Sequence, residues 1–359
     1  MREVLERLDT EFAFQSSGRF DLLAGEHVPY ASLNASDVDG TLLRAIERAE
    51  GVVTVIGRMG AGKSSLIAAV THGLSEGFVP LRVSVVGVEA GDPAAFARHV
   101  ITEVRDLPPT QLSRHEERAL ARAVATHRAE GRQVSRELRA GLRIAAGPVL
   151  TAEAVGDIKQ GADEEIQRAA DPADALGGVV RLLDTFWRIE RCPVLIVEDT
   201  DHWGGSPAIA DAFFDQTARA FASLDATTLV ATHCDYTELA GYRRVRDRLT
   251  AEISLPRLPD VVFGLSAVIG RRMESVGVEA PLDAVLESPA MDLLAESYLE
   301  SAGEEMAGDL RRTLSVLRAG LEIALGEPTA EKISRGHVQE AMARTPLAPG
   351  SGLQDPSRG

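Results

Sequence analysis

Val52-Val-Thr-Val-Ile56-Gly57-Arg-Met-Gly-Ala-Gly-Lys63-Ser64-Ser65 is the stretch on which the reading of this chain turns. Its apolar start predicts a strand over Val52–Ile56, which runs into Gly57, Gly60 and Gly62 ahead of Lys63. The spacing fits G-x-x-x-x-G-K-[ST] with no departure. Glycines at these places let the backbone wrap so that its N–H groups point inward at phosphate oxygens. A helix expected to start here carries Leu66, Ile67, Val70 and Leu74 on one face, and it aims the positive end of its dipole at the same spot. The candidate phosphate-binding residues are therefore Gly57, Arg58, Met59, Gly60, Ala61, Gly62, Lys63, Ser64 and Ser65. Lys63 is expected to reach the β- and γ-phosphates, and the Ser64 hydroxyl to help hold Mg²⁺.

Outward from the loop, strand and helix patterns alternate. A helix is expected over Gly40–Glu50, a second strand over Leu81–Val88 and a helix over Pro93–Val104. Further on come a helix over Gly177–Ile189, a strand over Val194–Val197, a helix over Ala208–Leu224 and strands over Thr228–Thr232 and Ile253–Leu255. Such alternation argues for a parallel sheet with helices packed against it. After about Pro259 the patterns are helical only: Val261–Val276, Met291–Ser301, Gly308–Leu325 and Ser334–Ala343. The expected organisation is a leader over 1–39, a core over 40–259, an all-α domain over 260–345 and a disordered tail over 346–359. Within the core, about 107–175 reads as a charged, Ala-rich helical insert.

Val194-Leu-Ile-Val197 ends in Glu198, Asp199, Thr200 and Asp201. Ligands of parallel sheets gather at the carboxyl ends of strands, where the glycine loop also lies. Glu198 is the candidate metal carboxylate and Asp199 the candidate for polarising an attacking water. Read without function, Asp199 and Asp201 are a helix cap and a solvated acid. Thr232, at the end of a strand expected between the other two, is a candidate to orient that water. His233 and Cys234 follow it without zinc-type spacing and read as loop residues.

Composition narrows the classes. The 359 residues are 45% hydrophobic and 26% charged, with no apolar run of membrane-spanning length. The start lacks the apolar segment of a signal peptide, and two cysteines build no disulfide framework, so a reducing cytoplasm is the expected setting. A net charge of −16 weighs against unaided DNA binding. Arg243, Arg244, Arg246 and Arg248 still form a local basic cluster.

Gly308-Asp-Leu-Arg311-Arg312-Thr-Leu-Ser-Val-Leu-Arg-Ala-Gly-Leu-Glu-Ile-Ala324 resembles the lid helix of AAA+ ATPases, and within them the origin-recognition and helicase-loader clade. Ile333-Ser-Arg-Gly-His-Val338-Gln-Glu-Ala341 is similar to the last lid helix. With the glycine loop and the acid-ended strand, the resemblance covers most of about residues 40–345. The stripe Leu310, Leu314, Leu317, Leu321 and Ala324 agrees with it on helical spacing alone. The resemblance implies a P-loop NTPase fold with an all-α lid, and ATP or ADP with Mg²⁺ held between core and lid. It also implies Arg311 facing the γ-phosphate and an arginine from a neighbouring copy completing the site. Arg243, Arg244, Arg246 and Arg248 are the candidates, Arg244 being favoured. Origin-binding relatives carry a winged-helix DNA module after the lid, and none is expected in the residues that follow it here.

The expected activity is slow ATP hydrolysis by a homo-oligomeric switch or remodeller of a protein or nucleoprotein partner, with DNA engaged only indirectly and no membrane. Slowness follows from the order Glu198-Asp199, the reverse of the usual Asp-then-Glu, since catalysis is sensitive to shifts near 1 Å. The alternative is a nucleotide-gated signalling or defence module that holds ADP with negligible turnover. A small-molecule kinase shares the loop but needs an acceptor pocket in place of the lid.

Overall fold

The structure, a computed structural model, describes residues 2–15, 20–48, 51–74, 77–105, 172–187, 191–302 and 306–345. The expected insert, apart from the residues from 172 that begin a helix, and the tail 346–359 lie outside the described residues. In chain order the helices are α1 (Arg2–Thr10), α2 (Phe20–Glu26), α3 (Val38–Glu47), α4 (Lys63–His72), α5 (Pro93–Arg105) and α6 (Pro172–Trp187). Then follow α7 (Pro207–Ala212), α8 (Ala240–Val245), α9 (Val261–Ser275), α10 (Leu282–Val285), α11 (Ser288–Ser301), α12 (Leu310–Gly326) and α13 (Arg335–Arg344). The strands are β1 (Gly51–Ile56), β2 (Phe78–Ser84), β3 (Cys192–Glu198), β4 (Thr227–Thr232) and β5 (Leu249–Ser254). They form a five-stranded parallel sheet in the order β2-β3-β4-β1-β5. Thus β4 takes the place between β3 and β1 that the sequence reading assigned to it. The chain divides into two compact units, one of Met1–Arg44, Val55–Gly73 and Ile253–Gly359, the other of Ala45–Thr54 and Leu74–Glu252.

In the second unit, β3 is buried along its whole length, as an apolar strand covered on both faces must be. The edge strand β2 alternates buried and half-buried residues and tolerates Pro80, whose missing N–H would break an interior ladder. Its register, Phe78↔Cys192 through Ser84↔Glu198, corrects the expected Leu81–Val88. Val85 N–H still donates to Glu198 O at 3.3 Å, and beyond it the chain turns away: Val88 N–H donates to Val85 O at 3.3 Å, and Gly87 takes a φ of +76°. The helix expected over Ala208–Leu224 is also interrupted. After α7 comes a π-helical turn over Phe213–Ala218, and only then Arg219–Phe221. The wider turn goes with a core that takes both Phe213 and Phe214, two consecutive side chains at 1% and 0% exposure. Strand β5 starts four residues before the expected Ile253.

Beyond β5 the named elements among the described residues are helices. In the first unit, Leu314, Leu317, Leu321 and Ala324 of α12 are buried with Leu5 and Leu8 of α1 and with Leu294 and Val338 of α11 and α13. Each buried leucine contributes about 2 kcal/mol. The stripe seen in the sequence is therefore the spine of this core. Asp309 caps α12 by accepting Arg312 N–H at 2.9 Å, and Ser334 caps α13 in a capping box with His337. Ile56 O accepts Leu255 N–H at 2.9 Å, and Leu255 O accepts Ala307 N–H at 3.2 Å. The end of β1 is thereby bonded into the C-terminal helical region. The short α10 was not expected from sequence. No helix of the described residues is long and apolar enough to cross a membrane.

Candidate functional site

The first unit holds the glycine loop. Gly60 and Gly62 sit at φ +75° and +101°, a region that side chains disfavour, and Gly62 leads directly into α4. Lys63 is buried, with Nζ donating to Gly57 O at 3.0 Å and Arg58 O at 2.9 Å. The ammonium is thus held inside the turn formed by its own loop. Ser64 is half-buried at the second position of α4, and Ser65 Oγ donates to Leu23 O at 3.3 Å. These features fit an anion-binding turn: a buried cation lies inside a loop that two glycines at positive φ have opened.

The start of α12 lies on this loop. Arg311 N–H donates to Gly60 O at 3.3 Å, and a Cβ built on Gly60 would overlap Asp309 Oδ1 and lie 2.7 Å from its Cγ. Arg58 Nη1 donates to Ser301 O at the end of α11, at 2.9 Å. Arg311 therefore sits beside the loop through its backbone, with an exposed side chain. Arg312 instead turns to Ser297 Oγ at 3.0 Å. Burial pushes the Asp309 carboxyl above its ordinary value, against the opposing pull of the Arg312 N–H and the Arg311 and Arg312 guanidiniums. Gly60→Ala is expected to displace Asp309 from its cap and to place a side chain at positive φ. Together these cost about 2 kcal/mol, readable in urea unfolding.

Sequence reasoning missed a second group on the loop. Tyr30 is buried with its hydroxyl 3.5 Å from Ala61 O, its N–H donates to Asp39 Oδ2 at 2.8 Å, and Asp39 Oδ1 lies 2.6 Å from His27 Nε2. Burial alone raises the Asp39 carboxyl, but hydrogen bonds from His27 and the Tyr30 N–H hold it below its ordinary value overall. The one available signal was an isolated tyrosine in an aromatic-poor chain.

In the second unit, Glu198 closes β3 with its side chain 4% exposed. Its Oε2 accepts from Arg82 Nε at 2.8 Å and Nη2 at 2.5 Å. The register places Arg82 opposite Ile196, two residues back along the paired strands. Asp199 takes φ +61°, a left-handed conformation that Asp tolerates better than most residues, and accepts from Ser84 Oγ at 2.6 Å. It precedes a 3₁₀ turn over Thr200–Gly205 without capping it through its side chain. Thr200 Oγ1 donates to Ala231 O, and Tyr236 OH to Thr200 O at 3.1 Å, tying this turn to the end of β4. Thr232 is fully buried, with Oγ1 bonded back to Val230 O at 3.0 Å.

Of the four clustered arginines, Arg243 pairs with Glu238 and Arg246 with Glu252 at 2.8 Å. Arg244 lies 2.8 Å from Asp215 and 4.0 Å from Asp211. All are exposed, and Arg248 makes no ion pair among the described residues. Arg82 and Ser84 were not singled out from sequence. A charged residue within a strand was the signal for the first.

Fold and site define an α/β protein whose parallel sheet carries a phosphate-type glycine loop, with a helical region following in the chain. No family model matches the chain, and no curated protein matches it. Among solved structures it is similar to that of the Aeropyrum pernix ORC1 protein in complex with DNA, at 18% identity and a TM-score of 0.47, over 89% of this chain and 66% of that one. The chain spans just under two thirds of that protein's length. A likeness at this level carries no residue role from one chain to the other.

Proposed function

We propose that the chain is an ATP-binding protein of the AAA+ kind that hydrolyses ATP slowly and works as a homo-oligomeric switch or remodeller. Its partner is a protein or nucleoprotein, and any DNA is reached through that partner. The observation that carries the reading is the glycine loop itself: two left-handed glycines, a buried Lys63 turned into the loop, and the start of α12 bonded to Gly60. In this reading Gly57–Ser65 hold the triphosphate, Lys63 exchanges loop carbonyls for phosphate oxygens, and the Ser64 hydroxyl ligates Mg²⁺. Bound Mg²⁺ neutralises charge on the phosphates. Asp199 polarises the water, Thr232 orients it once its hydroxyl leaves Val230 O, Arg311 meets the γ-phosphate, and Arg244 of a neighbouring copy completes the site.

Asp199→Asn is expected to cut turnover at least about a hundredfold while leaving ATP affinity unchanged. Equal turnover in the variant removes Asp199 from the mechanism. The test of the whole reading is ATPase activity as protein concentration rises, with the nucleotide content of freshly denatured protein measured beside it. Absence of both nucleotide and binding defeats it.

A second reading, a module holding ADP with negligible turnover, draws support from the Arg82–Glu198 pair. A carboxylate already neutralised by a guanidinium is a poorer ligand for Mg²⁺, and the acid order is reversed as well. Stoichiometric ADP in the purified protein, with no turnover at any concentration, favours this reading over the first.

A further inference from the structure

His233, Cys234 and Asp235 follow β4 directly, and the nucleotide reading makes no use of them. Their donor atoms lie within 4.8 Å of one another. His233 Nδ1 is 3.9 Å from Cys234 Sγ and 3.6 Å from Asp235 Oδ2, and Cys234 Sγ is 3.4 Å from Asp235 Oδ1. A tetrahedral zinc-class ion, with bonds of about 2.0 to 2.3 Å, sets donor–donor edges of about 3.3 to 3.6 Å. The three edges are within a few tenths of an ångström of those lengths, but the His233 and Cys234 edges run to different oxygens of the Asp235 carboxylate, so a rotation of that group closes one coordination face. A nitrogen, a sulfur and an oxygen in that arrangement suit a borderline-soft dication rather than Mg²⁺ or Ca²⁺.

The surroundings favour it too. The His233 ring lies 5.6 Å from that of buried Tyr236, whose hydroxyl is anchored on Thr200 O. A neutral imidazole, a thiolate and a carboxylate sum to two negative charges, matched by one dication. Against this, the ion displaces the Asp235 N–H bond to His233 Nδ1 at 3.3 Å and the Cys234 thiol bond to Asp235 Oδ1 at 3.4 Å.

We infer that His233, Cys234 and Asp235 form a binding site for one zinc-class dication, completed by water, at the carboxyl end of β4. Binding releases the thiol proton to solvent, so affinity rises with pH until the thiol is ionised.

Co²⁺ added to the metal-stripped, nucleotide-free full chain tests it, with no Mg²⁺ present. The expected result is a thiolate-to-cobalt charge-transfer band that saturates at one equivalent. It is bleached by Zn²⁺, and a thiol-modifying reagent is kept off one cysteine. The band is lost in Cys234→Ser and weakened in Asp235→Asn, and it survives in Cys192→Ala, which removes the other, buried cysteine. Circular dichroism certifies that each variant is folded. Should Cys192→Ala fail to fold, mass mapping of the protected thiol in the unaltered chain replaces it, with Cys234 expected. No band at a severalfold excess of Co²⁺, a band that persists in Cys234→Ser, or Co²⁺-dependent protection mapping to Cys192 instead of Cys234 overturns the inference.

Discussion

Lys63→Ala is expected to weaken ATP–Mg²⁺ binding about a hundredfold. In the free protein Nζ already donates to the carbonyls of Gly57 and Arg58, so binding exchanges these partners for phosphate oxygens. Charge-assisted hydrogen bonds contribute about 1.5 to 3 kcal/mol each, and part of that is offset by the carbonyls given up. A net loss near 3 kcal/mol corresponds to about two decades in Kd. Lys63→Arg should not rescue, because a planar guanidinium cannot follow the short path of an ammonium through the loop. Titration with a fluorescent ATP analogue reads the effect. An unaltered Kd would mean that the nucleotide, if bound, sits elsewhere. The fold should survive in Lys63→Ala, since the freed carbonyls lie in a loop.

Arg272→Leu should be the most damaging single change to stability away from the loop. Arg272 Nη2 lies 2.9 Å from Glu26, and Nη1 donates to the backbone oxygens of Ala13 at 3.4 Å and Gln15 at 2.9 Å. The two side chains are 8% and 14% exposed. Burial pushes the Glu26 carboxyl up and the Arg272 guanidinium down, each only partly countered by its partner. As a unit the pair is therefore near break-even, yet removing one member strands the other. Such stranding costs about 3 to 5 kcal/mol. Adding Glu26→Leu should recover much of the loss, and the double-mutant cycle would measure the coupling.

The pH dependence of the variant has a definite sign. Without Arg272, the Glu26 pKa in the folded state rises further above its ordinary 4.5, so folded protein binds the proton more tightly than unfolded chain does. The deficit against the unaltered protein is then full above that raised pKa and shrinks as pH falls through it. Urea unfolding at a series of pH values checks this. A deficit that is constant with pH would show that lost packing, not a stranded carboxylate, is responsible.

The parts legible in advance share one property: their requirements are local. A turn that opens into a helix through positive-φ positions needs glycines at set spacings, so the loop before Lys63 was legible. The α12 stripe was legible because helical periodicity alone puts Leu314, Leu317 and Leu321 on one face, and all three are buried. β3 stood out because a strand covered on both faces must be apolar throughout. What misled was equally local. Val85–Val88 has strand-forming residues, but the Gly87 turn ends the strand, leaving only Val85 N–H bonded to Glu198 O. The run over Ala208–Leu224 has good helix formers, and nothing in them warns of a π turn set by how Phe213 and Phe214 enter the core.

Taken alone, the amino-acid order determined the glycine loop, the alternation that yields a parallel sheet, and the helical region after β5, since each follows from backbone conformation and short-range periodicity. Only the tertiary structure decided that Arg82 neutralises Glu198, that Arg272 is buried on Glu26, and that Asp309 and Arg311 rest on Gly60. Those pairings join residues 116, 246, 249 and 251 positions apart. Strand register and helix packing choose such partners, and many partners far along the chain are chemically equivalent until the chain has folded.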